Sequence, residues 1–194
     1  MAGTAALLAP HVAYLALNVS SPNTPGLRAL QEPASVARII GKIHDALDEV
    51  KVRRPVLVKL HPDASDDELS DVARAAVDAG AAGLIATNTT RRRPPGEEAM
   101  EGGLSGPPLR ARAVEAVRSL YHALHGETPI IGVGGIQTGA DALAFVQAGA
   151  TLVQGYTGFV YRGPRFAQHV ERELLLELDR AGLDQLAQAV GQAA

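Results

Sequence analysis

Cysteine is absent from the 194-residue sequence, which also has no tryptophan. Without cysteine the protein cannot form disulfides, thiolate metal sites or iron–sulfur clusters, and it cannot use a cysteine nucleophile. Because aromatic residues make up only 4% of the chain, we expect a core of alanine, valine, leucine and isoleucine. None of the six histidines belongs to an HxxxH or HExxH pair, so the sequence predicts no metal site.

The chain also lacks a strong charge of either sign and a long apolar run. Eighteen basic and 21 acidic residues give a formal net charge of −3, so the composition indicates no nucleic-acid partner. No apolar run reaches the roughly 18 residues of a membrane-spanning helix. The apolar stretch at residues 5–17 lacks the basic region that begins a signal peptide. We therefore expect a folded, cytoplasmic protein.

Five short, almost continuously apolar segments alternate with helical patterns along the chain. Such segments are typical of strands that are buried on both faces of a parallel sheet. They lie at residues 14–19, 56–60, 83–87, 130–134 and 151–155. Because helical patterns separate them, the sequence predicts an α/β protein with a parallel sheet.

The helical patterns carry start signals as well as apolar periodicity. Ser65 and Glu68 have the spacing of a capping box, and Thr138 is the expected cap of a later helix. The predicted helices cover residues 36–50, 65–77, 114–124, 138–149, about 164–180 and about 184–190. Residues 91–108 form one long loop rich in glycine, proline and charge, and loops of that length are usually functional or mobile.

Glycine-rich motifs favour a barrel over a doubly wound sheet. A Rossmann GxGxxG motif is missing after the first strand, whereas Gly134-Gly135 follows the fourth and Tyr156-Thr157 follows the fifth. Phosphate-binding loops after the last two strands are typical of a (β/α)8 barrel. The N–H groups of the helix that Thr138 opens also suit a phosphate.

The chain is too short for a complete barrel of this type. A complete one has eight strands and about 250 residues, whereas only five strand segments are found here. We therefore expect a TIM-barrel type of fold that is incomplete, with about five parallel strands in a single domain over residues 1–194.

Polar side chains follow the first and third predicted strands. Asn18 and Asn23 belong to the turn after the first strand, and Thr87, Asn88 and Thr89 end the third. A turn or a cap is the simplest interpretation of each group. Barrel enzymes, however, keep catalytic groups at these strand ends. Asparagine amides also suit a planar ligand that is rich in amide and carboxylate groups.

Lys59 lies inside the apolar second strand, VLVKL. Lysine is rarely buried without a partner, so either its ammonium group reaches the surface or an anion binds it. In a barrel strand the side chain points to the lumen or to the helix layer, so it cannot easily reach the surface. We therefore favour the interpretation that an anion binds Lys59.

These motifs together resemble the quinone-linked class (class 2) of dihydroorotate dehydrogenases. Four blocks match in order: NVSSPNTPGLRALQ at 18–31, TNTT at 87–90, GGLSGPPLR at 102–110, and PIIGVGGIQTGADAL at 129–143 with LVQGYTG at 152–158. The resemblance implies an FMN-containing (β/α)8 barrel that oxidises dihydroorotate to orotate with a quinone acceptor, in pyrimidine (UMP) biosynthesis. The family's soluble class has a cysteine where this chain has Ser21, so the lack of cysteine also indicates the quinone class.

The resemblance also implies roles for individual residues. Ser21 is the implied base that removes the C5 proton, and Thr24 is the implied relay, which a weakly basic serine needs. The implied substrate-binding residues are Asn18, Asn23, Asn88 and Thr89. The implied cofactor-binding residues are Lys59, Thr87, Gly106, Gly135, Tyr156 and Thr157. A lysine beside the flavin would stabilise its anionic reduced form.

The resemblance covers the fourth to eighth strands of the family's barrel. We expect the N-terminal half, with its first three strands and the amphipathic helices of the membrane contact and quinone tunnel, to be missing. Family members lie peripherally on the cytoplasmic side of the membrane, and any membrane contact would come only from that missing part. We also expect that this chain alone does not close a barrel, because its lumen-facing residues lose their partners across the barrel. We expect no turnover of dihydroorotate by this chain alone, because the flavin's other contacts are absent.

Two alternatives stay open. One is another FMN-barrel oxidoreductase that acts on dihydropyrimidines or dihydrouridine. Such enzymes typically use cysteine, so Ser21 and the asparagines at 18, 23 and 88 disfavour it. The other is a non-enzymatic, truncated remnant or mis-started fragment of the dehydrogenase.

Overall fold

The computed structural model describes residues 1–20, 30–96 and 101–194. Within these residues one sheet of five parallel strands runs in chain order, β1-β2-β3-β4-β5. The strands are β1 (Leu15–Asn18), β2 (Val56–Lys59), β3 (Gly83–Ala86), β4 (Ile130–Val133) and β5 (Leu152–Gln154). The predicted α/β class and partial barrel are confirmed, and each strand lies inside its predicted segment.

Helices connect the strands. They are α1 (Ala2–Leu8), α2 (Pro33–Glu49), α3 (Asp66–Asp78), α4 (Pro107–Ala123), α5 (Gly139–Gln147), α6 (Thr157–Arg162), α7 (Phe166–Arg180) and α8 (Leu186–Ala189). Both predicted caps are confirmed, because Ser65 and Thr138 each take part in a complete capping box. Helix α6 has no counterpart among the predicted helices, since six residues are too few to show a helical repeat.

The loop predicted at residues 91–108 ends earlier than expected. Pro107 and Pro108 begin α4, because proline has no N–H group and the first turn of a helix requires none. Thr90 and Leu104 form an antiparallel bridge that closes the loop at its base, with N···O distances of 3.0 and 2.7 Å. Residues 97–100 of the loop lie outside the described residues.

Alternate strand residues pack into two different apolar clusters. Val58 and Leu84 belong to the main core, which lies between the sheet and the helices. Leu57, Ile85 and Ile131 form a second cluster on the opposite face, and each is at most 9% exposed. These three residues are covered by one another on neighbouring strands, and the expected loss of partners across the barrel stays a prediction.

The sheet is curved into an arc. The side-chain amide of Gln154 in β5 donates to Tyr14 Oη, just before β1, at 3.3 Å. In a flat five-stranded sheet the two edge strands would lie about 19 Å apart, too far for this contact. The concave face carries the second apolar cluster and, at the carboxyl ends of the strands, a cavity. Among the described helices, none is long and apolar enough to cross a membrane.

Candidate active site

A cavity of about 500 Å³ opens where β2, β3, β4 and β5 end. It is lined by eight of the twelve predicted site residues: Lys59, Thr87, Asn88, Thr89, Gly106, Gly135, Tyr156 and Thr157. The chain order of the strands explains this grouping, since parallel strands bring all their carboxyl ends to one edge. Residues far apart in the sequence thereby share one site.

Asn18 contacts this group without lining the cavity. Asn88 Nδ2 donates to Asn18 Oδ1 at 3.3 Å and to Ser20 Oγ at 3.1 Å. Ser20 is fully buried, and its N–H and hydroxyl groups both donate to Asn18 Oδ1. In the described part of the chain, no acceptor bonds Asn18 Nδ2, which leaves this amide for a ligand.

Three predicted residues cannot be compared with the structure. Ser21, Asn23 and Thr24 lie outside the described residues, so their roles stay predictions. The buried Ser20 fixes the chain immediately before them, at the same end of the sheet as the cavity.

Lys59 is a half-buried cation without a counter-ion. Its ammonium group forms no ion pair or hydrogen bond with any residue in the ranges 1–20, 30–96 and 101–194. Burial lowers the pKa of Lys59 below its ordinary value, because the charged form loses water. The described lining of the cavity includes no aspartate or glutamate. An anionic or electron-rich ligand would therefore supply the interaction that Lys59 lacks.

Glycine allows three segments to meet at the other end of the cavity. A Cβ atom at Gly135 would lie 2.6 Å from the carbonyl oxygen of Gly106, and one at Gly106 would lie 3.1 Å from Cγ2 of Thr157. Both glycines have positive φ, of +74° and +81°, which L side chains rarely adopt. Ser105 Oγ and Thr157 Oγ1 are hydrogen-bonded at 2.8 Å, which joins two of the segments.

Several N–H groups at the N-terminus of α5 already have acceptors within the protein, including those of Gly139 and Asp141, which donate to Glu173 Oε2 and Thr138 Oγ1. The N–H groups of Gln137 and Thr138 donate to Asp141 Oδ2 at 2.9 and 3.0 Å, so the helix's own carboxylate occupies this end. The N–H groups of Gly135, Ile136 and Thr157, by contrast, have no acceptor among the described residues. Thr157 begins the short helix α6, and barrel enzymes commonly bind phosphate between such a helix and the last two strand loops.

Asp63, which the sequence analysis does not single out, anchors the chain after β3. Its carboxylate accepts from Thr90 Oγ1 and, at 2.7 Å, from Arg91 N. Because Asn88 and Thr89 immediately precede Thr90, these bonds fix the strand end that carries two predicted substrate residues. The signal that could have identified Asp63 was its position as an acidic residue shortly after the strand predicted at residues 56–60.

Two polar residues of the lining were also missed. Ser105 lies in the GGLSG motif and Gln154 in the LVQGYTG motif. Gln154 pairs in register with Val133 at the end of β5. A single polar residue in the last position of an apolar strand was the signal that could have identified it.

Comparison with known proteins agrees with this arrangement. A family model described as "Dihydroorotate dehydrogenase" matches residues 2–178. A curated relative from Clavibacter michiganensis, named dihydroorotate dehydrogenase (quinone), is 50% identical over 179 residues, covering 89% of this chain and 51% of its own length. One of the same name from Anaeromyxobacter dehalogenans is 46% identical over 190 residues, covering 95% of this chain and 52% of its own length.

A solved structure shares the fold. The crystal structure of DHODH from Eimeria tenella in complex with ferulenol superposes with a TM-score of 0.92 at 36% identity. The match covers 98% of this chain and 56% of that one. The chain thus spans about half the length of the curated relatives and of the solved structure that it matches.

Proposed function

We propose that the cavity of this chain, which belongs to the dihydroorotate dehydrogenase family, binds FMN and dihydroorotate for the oxidation of dihydroorotate to orotate. A quinone accepts the electrons, and the reaction serves pyrimidine biosynthesis. Residues 1–194 act as one FMN-binding domain of barrel type. The cavity carries this proposal, because it combines a lysine and backbone N–H groups that bond no described residue with an asparagine, Asn88, whose amide bonds the neighbouring Asn18.

The cavity fits FMN in both shape and charge. Gly106 and Gly135 keep its phosphate end free of side chains, and the N–H groups of Gly135, Tyr156 and Thr157 lie at that end. Lys59 and Thr87 line the end beside the sheet, where the flavin ring would lie. When bound, FMN would accept a hydride from the substrate and deliver electrons to the acceptor.

Lys59 supplies the one positive charge of the described lining. Electron density that develops at the flavin ring during reduction is stabilised by a nearby fixed cation, which costs no reorganisation when the reaction occurs. Lys59 has no carboxylate partner among the described residues, so none of them neutralises this charge.

The asparagines recognise the substrate. Dihydroorotate carries ring amides and a carboxylate, and an asparagine side chain offers both a donor and an acceptor. Asn18 Nδ2 is available for this purpose, and the bond from Asn88 to Asn18 sets the orientation of both amides. Asn23 and Thr89 complete the substrate set.

Ser21 removes the C5 proton in this proposal. A free serine hydroxyl is a poor base, so its proton must leave through a relay, for which Thr24 is the candidate. The fully buried Ser20, bonded to Asn18 and Asn88, supports a fixed start for this segment.

A chimera tests the proposed reaction. Residues 1–194 replace the matching segment of the Clavibacter michiganensis relative, which is 50% identical over 179 residues, and the unmodified relative is the matched control. We expect the chimera to retain FMN and to reduce a quinone in the presence of dihydroorotate.

The same preparation separates the alternatives. Under anaerobic conditions, flavin bleaching by dihydroorotate supports the proposal. Bleaching by dihydrouracil or dihydrouridine alone would indicate the other class of FMN barrel. A folded chimera whose FMN is bleached by none of these three compounds would indicate the non-enzymatic remnant.

A further inference from the structure

Helix α7 carries a glutamate that joins the two loops of the proposed phosphate site. Glu173 Oε2 accepts from the backbone N–H of Gly139, the first residue of α5, at 2.8 Å. The same carboxylate accepts two bonds from Arg162, the last residue of α6, from Nη2 at 2.5 Å and from Nη1 at 3.2 Å. Glu173 therefore connects the helix after β4 with the short helix after β5.

Arg162 completes the connection from the other side. Its Nη1 also donates to the carbonyl oxygen of Gln137, one residue after the cavity-lining Ile136. The guanidinium plane and the carboxylate form a bidentate pair, a geometry that fixes orientation as well as distance. The Arg162–Glu173 pair therefore holds both loops at points next to the residues that line the cavity.

The packing at Gly139, next to the Arg162–Glu173 pair, leaves no room for a side chain. A Cβ atom at Gly139 would lie 2.2 Å from the backbone nitrogen of Leu174 and 2.5 Å from Cβ of Glu173. Glycine at position 139 thus lets α5 meet the backbone of α7. The bonds from Arg162 and from Gly139 also lower the pKa of Glu173, so the carboxylate stays ionised under ordinary conditions.

We propose that Glu173 and Arg162 are positioning residues that set the distance between the Gly135 loop and the Thr157 loop, and that they thereby select a flavin carrying a phosphate. This inference rests on the proposed function, since it takes the phosphate end of the cavity as given. Neither residue lines the cavity. Their effect acts through the backbone of Gln137, Gly139 and α6.

Flavin titration of the 194-residue chain tests the inference. FMN and riboflavin share the ring and differ in the phosphate, so the ratio of their dissociation constants isolates the phosphate contribution. We expect the chain to bind FMN more tightly than riboflavin, as followed by flavin fluorescence. Glu173→Gln should weaken FMN binding by about tenfold, a typical effect of outer supporting groups, and leave riboflavin binding unchanged.

A matched control lies one turn further along α7. Glu177 pairs with Arg180 at 2.6 Å, and neither belongs to the cavity lining, so Glu177→Gln should preserve the FMN-to-riboflavin ratio. Arg162→Lys keeps the charge but loses the bidentate geometry, and it should lower the ratio in the same direction as Glu173→Gln. Hydrogen exchange of the Gly139 amide, which should quicken in Glu173→Gln, reports on the bond itself without flavin.

The possible outcomes distinguish a failure of the phosphate site from a failure of the positioning role. If the unmodified chain shows no preference for FMN, the proposed phosphate site fails, and the positioning role fails with it. A preserved preference in Glu173→Gln, or an equal loss of FMN and riboflavin, would overturn the positioning role while leaving the phosphate site in place.

Discussion

Lys59 makes the stability of the flavin-free chain depend on pH. Because burial lowers its pKa in the folded state, the unfolded chain binds more protons between that lowered value and the ordinary one. The free energy of unfolding therefore rises as pH increases through this interval. Lys59→Met should abolish the rise and stabilise the free chain at neutral pH, as measured by urea unfolding across the alkaline range. A Lys59→Met chain with the same pH dependence as the parent would contradict this assignment.

The same residue has the opposite effect on cofactor binding. A hydrogen bond to a charged donor contributes about 1.5–3 kcal/mol when it is desolvated, so Lys59→Met should weaken FMN binding by about ten- to a hundredfold. Fluorescence titration measures this change, with the exposed Lys42→Met as the control. Equal affinities in the two variants would show that Lys59 does not contact the flavin.

Ser21 is tested by the rate of flavin reduction. In the chimera, Ser21→Ala should leave FMN bound but slow flavin bleaching by dihydroorotate by about 10²–10⁴-fold, the usual contribution of general-base catalysis. Stopped-flow absorbance follows the bleaching. Ser70→Ala is the control, because among the described residues the Ser70 hydroxyl bonds the Asp66 carbonyl on α3 alone and lies outside the cavity lining. An unchanged rate in Ser21→Ala would remove Ser21 from the role of base.

The sequence was sufficient to predict which residues share the site where those residues lie at the ends of strands. Lys59, Thr87 and Asn88 come directly from apolar strands, so their grouping follows once the sheet is known to be parallel. A local signal can mark a residue such as Asp63, but the partner that it bonds across the fold was not predictable. The bonds of Asp63 to Thr90 and of Glu173 to Gly139 join residues 27 and 34 positions apart, and no local pattern indicates them.

At the scale of elements, Asp63 joins the β2–α3 loop to the segment after β3. Asp63→Asn removes the charge that accepts bonds from Thr90 and Arg91, and it should lower the free energy of unfolding by about 1–3 kcal/mol. Urea unfolding measures the loss. Asp71→Asn is the control, since within the described part of the chain Asp71 forms no more than an exposed, 4.0 Å pair with Arg74. A similar loss in both variants would argue against the anchor.

Elements with strong local chemistry were the ones correctly predicted. The capping boxes at Ser65 and Thr138 define the starts of α3 and α5 within the sequence itself. The start of α4 was placed too late, because two prolines and a glycine resemble a loop until the helix beyond them is known. Helix α6 depends on Phe166 and Ile136, which pack against Gly158, so tertiary contacts determine it.

At the scale of the whole molecule, β1 and β5 are the two edges of the sheet. Each pairs on one side only within the described residues, and open edges favour association with other strands. We expect the 194-residue chain to associate as its concentration rises, as followed by sedimentation velocity. Ala16→Lys adds a charge to the exposed centre of β1 and should reduce association, whereas Ala111→Lys on the exposed side of α4 should not. A chain that stays monomeric at all concentrations would contradict this expectation.

The order of the strands in the sheet is also their order of synthesis. Each of the described strands after β1 pairs with the one made immediately before it, and none of these five has to wait for a partner that is made much later. Ribosomes add about 5–20 residues per second, whereas local helices and short loops form within microseconds. Every β–α unit therefore has seconds to dock on the preceding unit before the next strand emerges. The sheet can grow in one direction, from β1 towards β5, while the chain is still being translated.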